Sequence, residues 1–359
     1  MKVIHVITTL DIGGAEKQLS QLVRIQKQNS LICEVWYLKG NAPLRAELEQ
    51  SDIKVRKLTI GFFFREGIKY RRRRETSLKA KKLLVHAHLP RSELVSLCFS
   101  LISGLPLVVS KHNTEPMWPR GNKQMSRILA KLVYSRSSGV ICISRAVKNY
   151  LQKSHELPAQ SEKVSVIYYG FAARQENSIK KPKNSLKVIT LARLEPQKDL
   201  ITLILASQIL QNHGMDVKVR IRGAGRLKNI LENEISQRNL NNIEILPPIE
   251  NVSSEYDWAD ILVLPSKYEG FGLVLLEAMQ NEIMILAANS TAVEEVLNSK
   301  EALLFDVGDY AQLASKLARL VASEEERLEN RKLVQEVSKS FDIRNQLKLT
   351  GIVYERAFQ

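Results

Sequence analysis

Two carboxylates stand eight residues apart in the segment ILVLPSKYEGFGLVLLEAM, residues 261–279. They are Glu269 and Glu277. Eight residues of α-helix leave about 80° between two side chains, so a single helix would not stack them. We therefore expect Glu269 in a loop and Glu277 on a helix. Because a carboxylate inside an apolar helix is costly unless it is hydrogen-bonded, Glu277 should have either a partner within the core or the hydroxyl groups of a ligand.

The residues around the two carboxylates predict a strand, a glycine turn and a helix. The apolar run 261–264 predicts the strand, and a second apolar run predicts a helix that begins near Leu273. The turn between them holds Gly270, Phe271 and Gly272. A turn of this kind directs backbone N–H groups and the positive end of a helix towards an anion.

Two cations, Arg193 and Lys198, follow a predicted strand at 186–192. Since they stand five residues apart in a turn, they can converge on one diphosphate. The alternative is a pair of unpaired surface cations. A second turn between a strand and a helix holds Gly13 and Gly14, where a backbone without side chains can approach a ligand closely. A plain tight turn is the alternative there.

Histidines end two predicted strands. His112 directly follows the run 106–111, at the carboxyl edge where α/β proteins bind ligands. The alternative is a structural histidine that is bound to backbone groups. His86 and His88 share one face of another strand, because side chains alternate with a period of two. No third ligand is evident in the sequence, so no metal site is predicted.

Length and composition favour an ordinary two-domain protein. At 359 residues the chain is long for one core. It has no apolar run of 18 residues that would predict a transmembrane helix, and its start lacks the pattern of a signal peptide. The cysteines, Cys33, Cys98 and Cys142, lie far apart and suit buried thiols in a reducing compartment. We therefore expect a cytoplasmic protein.

The net charge of +15 belongs to the first half of the chain. Residues 1–170 hold 29 Lys and Arg against 12 Asp and Glu, whereas residues 171–359 hold 24 against 26. An excess that is confined to one half predicts an anionic partner for one domain only.

Strand and helix patterns alternate in two series, which predicts an α/β protein with two doubly wound parallel sheets. The polar segment between the two series shows no periodicity and is interpreted as a linker. The expected divisions are a first domain at 1–171, a linker at 172–184, a second domain at 185–340 and a C-terminal helix at 341–359.

A basic and aromatic segment lies in the first half, with nine Lys and Arg between positions 65 and 82. The candidate contact residues are Phe62, Phe63, Arg71, Arg72, Arg73 and Arg74. Aromatic residues beside a basic cluster fit an anionic membrane surface, where each cation is worth about 1 kcal/mol. The alternatives are a solvated helix with its phenylalanines in the core, or a nucleic-acid patch. No nucleic-acid motif accompanies the segment, so no nucleic-acid partner is predicted.

The segment 261–279 closely resembles the E-x7-E signature of retaining, nucleotide-sugar-dependent glycosyltransferases of the GT-B fold, family 4 type, the glycosyl transferases group 1. Further matches follow in the same order along the chain, so the resemblance covers nearly all of it and is firmest over residues 186–306. It implies two Rossmann-like domains that face across a cleft, with a C-terminal helix that crosses back to the first domain.

The resemblance also implies roles for individual residues. It places Glu269 on a hydroxyl group of the donor sugar, Glu277 on the ribose and His112 near the anomeric carbon. Arg193 and Lys198 would stabilise the leaving diphosphate. The other donor-side positions that it implies are Gly13, Gly14, Gly223, Pro248, Gly270, Phe271, Gly272 and Leu273.

This chain departs from the family pattern in two places, one near the predicted phosphate contacts and one near the predicted sugar contacts. Ala192 and Asp199 stand where glycines are usual around the two cations. Ser290 and Thr291 replace a usual Gly-Gly turn. These positions affect the turn at the cations and the outer wall of the sugar pocket.

The reaction that the resemblance implies is transfer of a sugar from a nucleoside diphosphate sugar, with retention of the anomeric configuration. UDP is the commoner nucleotide in the family. No Asp-x-Asp metal motif stands near the predicted site, so a metal-independent reaction without a cofactor is expected. The donor phosphate would act as the base.

The basic first domain would bind the acceptor. We expect a peripheral enzyme at the inner face of the cell membrane, with a lipid-linked or membrane-presented glycan as acceptor, in surface polysaccharide, lipopolysaccharide or glycolipid synthesis. The alternatives are a transferase with a soluble acceptor, a non-catalytic relative that binds a sugar nucleotide or a partner protein, and an inverting or epimerase member of the same fold.

Overall fold

The structure is a computed structural model, and it describes residues 1–76, 82–118, 121–154, 156–157, 161–171, 185–249 and 251–359. The predicted linker at 172–184 lies outside the described residues. The chain forms two compact units, of which one comprises Met1–Gly170 with Ile343–Gln359 and the other comprises Phe171–Asp342.

The first unit is built on a seven-stranded parallel sheet in the order β3-β2-β1-β4-β5-β6-β7. Its strands are β1 (Lys2–Ile7), β2 (Ile32–Tyr37), β3 (Lys54–Lys57), β4 (Leu83–His88), β5 (Leu107–Lys111), β6 (Gly139–Cys142) and β7 (Val164–Val166). The helices that connect them are α1 (Gly14–Gln28), α2 (Arg45–Gln50), α3 (Ile60–Thr76), α4 (Pro90–Ser103), α5 (Lys123–Arg136) and α6 (Arg145–Lys153). The strand order reverses between β1 and β4, which is where ligands bind in open α/β sheets.

The second unit is built on a six-stranded parallel sheet in the order β10-β9-β8-β11-β12-β13. Its strands are β8 (Leu186–Leu191), β9 (Val217–Arg222), β10 (Ile243–Leu246), β11 (Ile261–Leu264), β12 (Met284–Ala288) and β13 (Leu304–Phe305). Its helices are α7 (Leu200–Asn212), α8 (Lys228–Gln237), α9 (Ser253–Trp258), α10 (Leu273–Gln280), α11 (Thr291–Val296), α12 (Tyr310–Ala322) and α13 (Glu324–Ser338). Here the order reverses between β8 and β11, which are hydrogen-bonded neighbours.

The last helix, α14 (Ile343–Arg356), belongs to the first unit. Its residues Val353 and Tyr354 are buried in one core cluster with Val3 of β1 and Val108 of β5. Gly139 in β6 has no room for a side chain, since an added Cβ would lie 2.7 Å from a Val353 methyl group. The predicted α/β fold, with two doubly wound sheets and a returning C-terminal helix, is therefore confirmed.

Candidate active site

The glycine turn of the second unit lies between β11 and α10, as the sequence predicts. Gly272 caps the helix with φ = +81°, a left-handed conformation that glycine adopts without strain. The helix begins at Leu273, so its first backbone N–H groups have no partner within the helix. Phe271 is buried, and its ring lies 5.9 Å from that of Phe341 in an edge-to-face contact. The Phe271 side chain therefore belongs to the core, and only its backbone can serve a ligand.

An ion pair joins the two loops that follow the adjacent strands β8 and β11. Lys198 Nζ donates to Glu269 Oε1 at 2.5 Å, and both side chains are largely buried, with 14% and 10% of their surfaces exposed. Gln197 strengthens the same connection, because its Nε2 donates to the backbone oxygen of Tyr268 and its own backbone oxygen accepts from Lys267. The structure thus places a cation and a carboxylate together at the carboxyl edge, where the strand order reverses.

Glu277 has a partner within the core. The hydroxyl of Tyr256 on α9 donates to Glu277 Oε2 at 2.8 Å, and burial raises the pKa of that tyrosine well above its usual value. Within the described part of the chain, Glu277 Oε1 has no hydrogen-bond partner. The structure therefore agrees with both interpretations of Glu277. One oxygen has its partner within the core, and the other can accept a hydrogen bond from a ligand hydroxyl.

Arg193 is exposed, and it forms no ion pair with any described residue. Its loop is held by a glycine turn: a Cβ at Gly223 would overlap the carbonyl oxygen of Ala192, and one at Gly225 would overlap that of Leu194. The Leu194 N–H donates to the Ala224 oxygen at 2.9 Å, which closes this backbone contact. Gly223 is therefore required for packing next to Arg193, a reason that the sequence pattern does not reveal.

Asp199, which stands where a glycine is usual, has φ = +47°, in the left-handed region that favours glycine. Its carboxylate lies 3.3 Å from Lys267 Nζ, so it also links the β8 and β11 loops. Ala192, which also stands where a glycine is usual, does not have a positive φ. Pro248 is exposed after β10, and the oxygen of the preceding Pro247 accepts from the Arg222 guanidinium at 2.8 Å.

In the first unit, Gly13 and Gly14 stand at the start of α1, as the glycine pattern predicts. The side chain of Glu16 folds back over Gly13, where a Cβ would overlap its carboxylate. Glu16 Oε1 accepts from the Thr9 hydroxyl at 2.8 Å, and burial raises the pKa of this carboxyl group. Glu16 was not among the residues predicted from the sequence, although it stands only two residues after the glycine pair.

His112 lies directly after β5, as predicted, and both of its ring nitrogens have partners. Its Nε2 is 3.1 Å from His88 Nδ1, and its Nδ1 is hydrogen-bonded to the Tyr169 hydroxyl. His88 Nε2 is in turn 3.1 Å from His5 Nδ1, and His5 Nε2 is 2.8 Å from Gln26 Oε1. His112 is therefore one end of a chain of imidazoles rather than an isolated contact residue.

The structure supplies the third histidine that the sequence did not reveal. His5 and His86 are register partners on β1 and β4, and potential ligand atoms of His5, His86 and His88 lie within 4.8 Å of one another. Each ring nitrogen of these three side chains already has a hydrogen-bond partner: His86, for example, contacts Tyr354 and Ser110, each at 2.7 Å. A metal ion would have to displace these bonds. The signal in the sequence that could have indicated this cluster is that β1 and β4, two apolar strands, each contain histidine.

Burial keeps the histidines neutral. It lowers the pKa of His112 to about 3 and that of His5 to about 4. It also lowers the pKa of His86 and of His88 well below the usual value, with further lowering from the neighbouring imidazoles. At neutral pH each ring therefore has one donor and one acceptor nitrogen.

The basic segment forms α3, and its phenylalanines divide between the interior and the surface. Phe62 and Phe63 are partly buried: Phe62 packs 5.1 Å from the Trp36 ring, and Phe63 packs 5.5 Å from the Phe99 ring. The prediction that these two residues contact a membrane therefore meets competing contacts within the core. Arg71, Arg72 and Arg73 are exposed, and the side chain of Arg74 lies outside the described residues.

Two helices of the first unit expose apolar side chains beside cations. On α3 they recur every four residues, at Ile60, Phe64 and Ile68. On α5 they recur at helical spacing too, and 45–60% of each side chain is exposed; they are Met125, Ile128 and Leu132, preceded by Trp118. The sequence of α5 has four cations and no carboxylate. We call these exposed residues the α3 and α5 apolar stripes; α4 contacts both helices.

The sequence profiles of known families cover both halves of the chain. The profile described as "Glycosyltransferase Family 4" matches residues 12–174, and the profile described as "Glycosyl transferases group 1" matches residues 172–337. The chain belongs to this glycosyltransferase family. Both halves of the family's architecture are therefore present, and the family predicted from the sequence is confirmed. No described helix is long and apolar enough to span a membrane.

Related glycosyltransferases are distant in sequence. The capsular polysaccharide biosynthesis glycosyltransferase CapM of Staphylococcus aureus is 22% identical over 68% of this chain and 69% of its own length. A Campylobacter jejuni enzyme is 21% identical over 96% of this chain and 95% of its own; its name is GalNAc-alpha-(1->4)-GalNAc-alpha-(1->3)-diNAcBac-PP-undecaprenol alpha-1,4-N-acetyl-D-galactosaminyltransferase.

Solved glycosyltransferase structures share the fold. Anabaena HepE in complex with UDP superposes with a TM-score of 0.80 at 19% identity, over 99% of this chain and all of that chain. The same protein in complex with UDP-glucose gives a TM-score of 0.78 at 20% identity, over 99% of both chains. At these identities the similarity shows that this chain has the GT-B fold.

Proposed function

We propose that this glycosyltransferase moves a sugar from a nucleoside diphosphate sugar, with UDP as the favoured nucleotide, and retains the anomeric configuration. The observation that carries the proposal is the Lys198–Glu269 pair at the point where the second sheet reverses its strand order. A cation for phosphate and a carboxylate for sugar hydroxyls are thereby held within one hydrogen bond of each other, beside the N-terminus of α10. The UDP complexes of Anabaena HepE support the choice of nucleotide.

The chemistry follows from the charge that develops as the bond to the sugar breaks. The nucleoside diphosphate gains negative charge, and preorganised cations and N–H groups lower the barrier most when they already point at that charge. Arg193 is an exposed cation, and Lys198 is held in place by the carboxylate of Glu269. The first backbone N–H groups of α10 lack partners within the helix. In this proposal Glu269 accepts from a sugar hydroxyl, while Glu277 Oε1 accepts from the ribose.

The remaining donor-side roles are part of the same proposal. His112 contacts the sugar, and the backbone around Gly13 and Gly14 approaches the diphosphate. Gly223 shapes the loop that presents Arg193, and the loop at Pro248 contacts the base through its backbone. The donor phosphate takes the proton from the acceptor hydroxyl, so that no protein base, metal or cofactor is required.

The test is hydrolysis and binding of a panel of UDP-sugars and GDP-sugars. We expect the wild type to hydrolyse one donor slowly and Glu269→Ala to lose that activity. Glu244→Ala is the matched control, because Glu244 is a half-exposed carboxylate of the same unit that pairs with Arg220. If the folded wild-type protein binds no nucleotide sugar, the catalytic proposal is wrong and a non-catalytic binding role replaces it.

We propose further that the acceptor is a lipid-linked or membrane-presented glycan and that the protein is cytoplasmic and peripheral at the inner face of the membrane. The α3 and α5 apolar stripes lie among the excess cations of the first unit, so they suit the headgroup region of an anionic bilayer. An exposed tryptophan, Trp118, is a side chain that concentrates at such interfaces. The undecaprenol in the name of the Campylobacter jejuni relative supports a lipid-linked acceptor.

Vesicle flotation tests the membrane proposal separately from catalysis. We expect salt-sensitive binding to vesicles that contain phosphatidylglycerol, little binding to phosphatidylcholine alone, and weaker binding of Phe64→Ser and Ile128→Ser. Ile230→Ser, at an exposed apolar position on α8 of the second unit, is the control and should bind like the wild type. Absence of binding to anionic vesicles would favour a soluble acceptor.

A further inference from the structure

Four of the histidines that the structure describes take part in one continuous hydrogen-bonded chain inside the first unit. The chain has eight members and seven bonds, which run in the order Tyr169, His112, His88, His5, Gln26, Tyr354, His86, Ser110. The proposed sugar contact, His112, is its second member, and His88, His5, Gln26, Tyr354 and His86 are all buried. Apart from His112, no member of this chain has a role in the function proposed above.

The direction of the donors in this chain is determined by Gln26. Its Oε1 can only accept, so His5 Nε2 must carry the hydrogen of that 2.8 Å contact. A neutral imidazole then has an acceptor at Nδ1, so His88 donates from Nε2 to His5. By the same rule His112 donates from Nε2 to His88, and its Nδ1 accepts from the Tyr169 hydroxyl.

The other half of the chain agrees with this direction. Gln26 Nε2 donates to the Tyr354 hydroxyl at 3.1 Å, and that hydroxyl donates to His86 Nδ1. His86 Nε2 then donates to Ser110 Oγ. The thiol of Cys33 donates to Gln26 Oε1 at 3.5 Å, which favours the same orientation of the amide.

Gln26 differs from every other member in what a reversal would require. A hydroxyl reverses its role by rotating its hydrogen, and an imidazole does so by moving its proton to the other nitrogen. A carboxamide has one atom that only accepts and one that only donates, so it must turn over completely. Gln26 is fully buried on α1, between the two halves of the chain.

We propose that Gln26 is a positioning residue that holds His112 in the Nε2–H tautomer through two intervening imidazoles. His112 Nδ1 is then a hydrogen-bond acceptor at the end of the chain, where Tyr169 now donates to it. The consequence for specificity rests on the proposed function: an acceptor at this position binds a sugar hydroxyl and disfavours a phosphate oxygen. The reversed chain would present an N–H group there instead.

The experiment is a long-range 1H–15N correlation spectrum of the full chain labelled at histidine, which reports the tautomer of each ring. With six histidines, each signal can be assigned from single substitutions. We expect the Nε2–H form for His5, His88 and His112 in the wild type. Gln26→Met removes the amide at nearly constant volume, so we expect His112 to shift to the Nδ1–H form or to a mixture.

Two further variants keep the test decisive. Gln28→Met, the same substitution at an exposed position of α1, should leave all tautomers unchanged. Tyr169→Phe removes the opposite end of the chain and should leave His112 in the Nε2–H form, which provides a test even if Gln26→Met does not fold. A wild-type His112 with its hydrogen on Nδ1, an unchanged His112 in folded Gln26→Met, or a switched His112 in Tyr169→Phe would each overturn the proposal. The spectrum needs no ligand, so its outcome is independent of whether the donor panel succeeds.

Discussion

Lys198 and Glu269 form a largely buried ion pair that connects the loops after β8 and β11. The two residues stand 71 positions apart, and the pair sits where the second sheet reverses its strand order. In the function that we propose, a diphosphate that binds Lys198 shares this cation with Glu269, so that the pair couples the recognition of phosphate to the recognition of the sugar.

This coupling predicts that phosphate and sugar recognition separate in two substitutions. Lys198→Met should weaken binding of UDP by about 10- to 100-fold, because a hydrogen bond from a charged group is worth about 1.5–3 kcal/mol. Glu269→Gln should bind UDP at least as well as the wild type, since Lys198 is no longer shared, yet hydrolyse the donor more slowly by a similar factor.

Calorimetry with UDP and a hydrolysis assay with the intact donor measure the two effects. Lys228→Met, an exposed lysine of the same unit that lies 3.6 Å from Glu232, is the matched control. If Glu269→Gln loses UDP binding as strongly as Lys198→Met does, the carboxylate acts by holding the lysine and has no separate role at the sugar.

The glycine turn after β9 predicts a loss of stability together with a loss of binding. An added methyl group in Gly223→Ala would overlap a backbone oxygen that cannot move aside like a flexible side chain, so we expect destabilisation of about 1–3 kcal/mol. The displaced Ala192 backbone directly precedes Arg193, so UDP binding should also weaken. Chemical denaturation and calorimetry are the measurements.

Gly351→Ala provides the contrast, because nothing lies within 4 Å of the added Cβ on α14. Replacing glycine by alanine inside a helix should stabilise the protein by about 1 kcal/mol. Equal stability of the wild type and Gly223→Ala would contradict the close backbone approach that the structure shows.

The buried histidines predict acid sensitivity of the first unit. Their pKa values are lower in the folded state than in the unfolded chain, so the unfolded state binds more protons and the unfolding free energy decreases as the pH falls through about 6.5. With a folded pKa of about 4, His5 alone should cost about 2 kcal/mol at pH 5 relative to neutral pH. The other three act in the same direction.

Urea denaturation at pH 7, 6 and 5 measures this effect. His5→Asn should have a shallower pH dependence than the wild type. His213→Asn, at an exposed histidine of the second unit, should follow the wild type. A His5→Asn variant with the wild-type slope would show that the imidazole chain is not what makes the protein acid-sensitive.

Glu93 on α4 predicts an opposite and separable pH effect. It is fully buried, the Tyr134 hydroxyl donates to it at 3.3 Å, and burial raises its pKa to about 7 against the opposing effect of Lys111. The folded state therefore holds this proton longer than the unfolded chain, whose carboxyl has a pKa of 4.5. Its contribution lowers the unfolding free energy as the pH rises from about 4.5 to 7, by about 3 kcal/mol in all.

Glu93→Gln should remove this contribution, so its stability relative to the wild type should increase between pH 5 and pH 8. Glu49→Gln, at an exposed carboxylate that pairs with Arg45, should show only a small difference. A constant difference between Glu93→Gln and the wild type across that range would contradict the raised pKa.

The sequence predicted the fold well because apolar runs determine the strands of a parallel sheet. The strand at 261–264, the turn at Gly272 and the helix from Leu273 all lie where the pattern indicates. The sequence could not predict which side chains meet across strands. His5 and His86 are 81 positions apart, and only their register in adjacent strands brings them together. The same holds for Lys198 with Glu269 and for Tyr256 with Glu277.

The interpretation of the aromatic segment shows a different limit. Three consecutive phenylalanines cannot share one face of a helix, since successive residues are about 100° apart. The structure directs Phe62 and Phe63 towards Trp36 and Phe99, whereas Phe64 is exposed. Sequence composition therefore indicated the segment that we propose for membrane contact, but not which of its residues face outward.

A time-resolved 1H NMR spectrum of the donor during hydrolysis by the wild-type protein tests the proposed retaining transfer. We predict that one nucleoside diphosphate sugar is consumed, that the nucleoside diphosphate appears with it, and that the sugar is first released with the anomeric configuration of the donor. Consumption of no donor by the folded protein would contradict the proposed transferase. Initial release of the opposite anomer would contradict retention while leaving the sugar-nucleotide site in place.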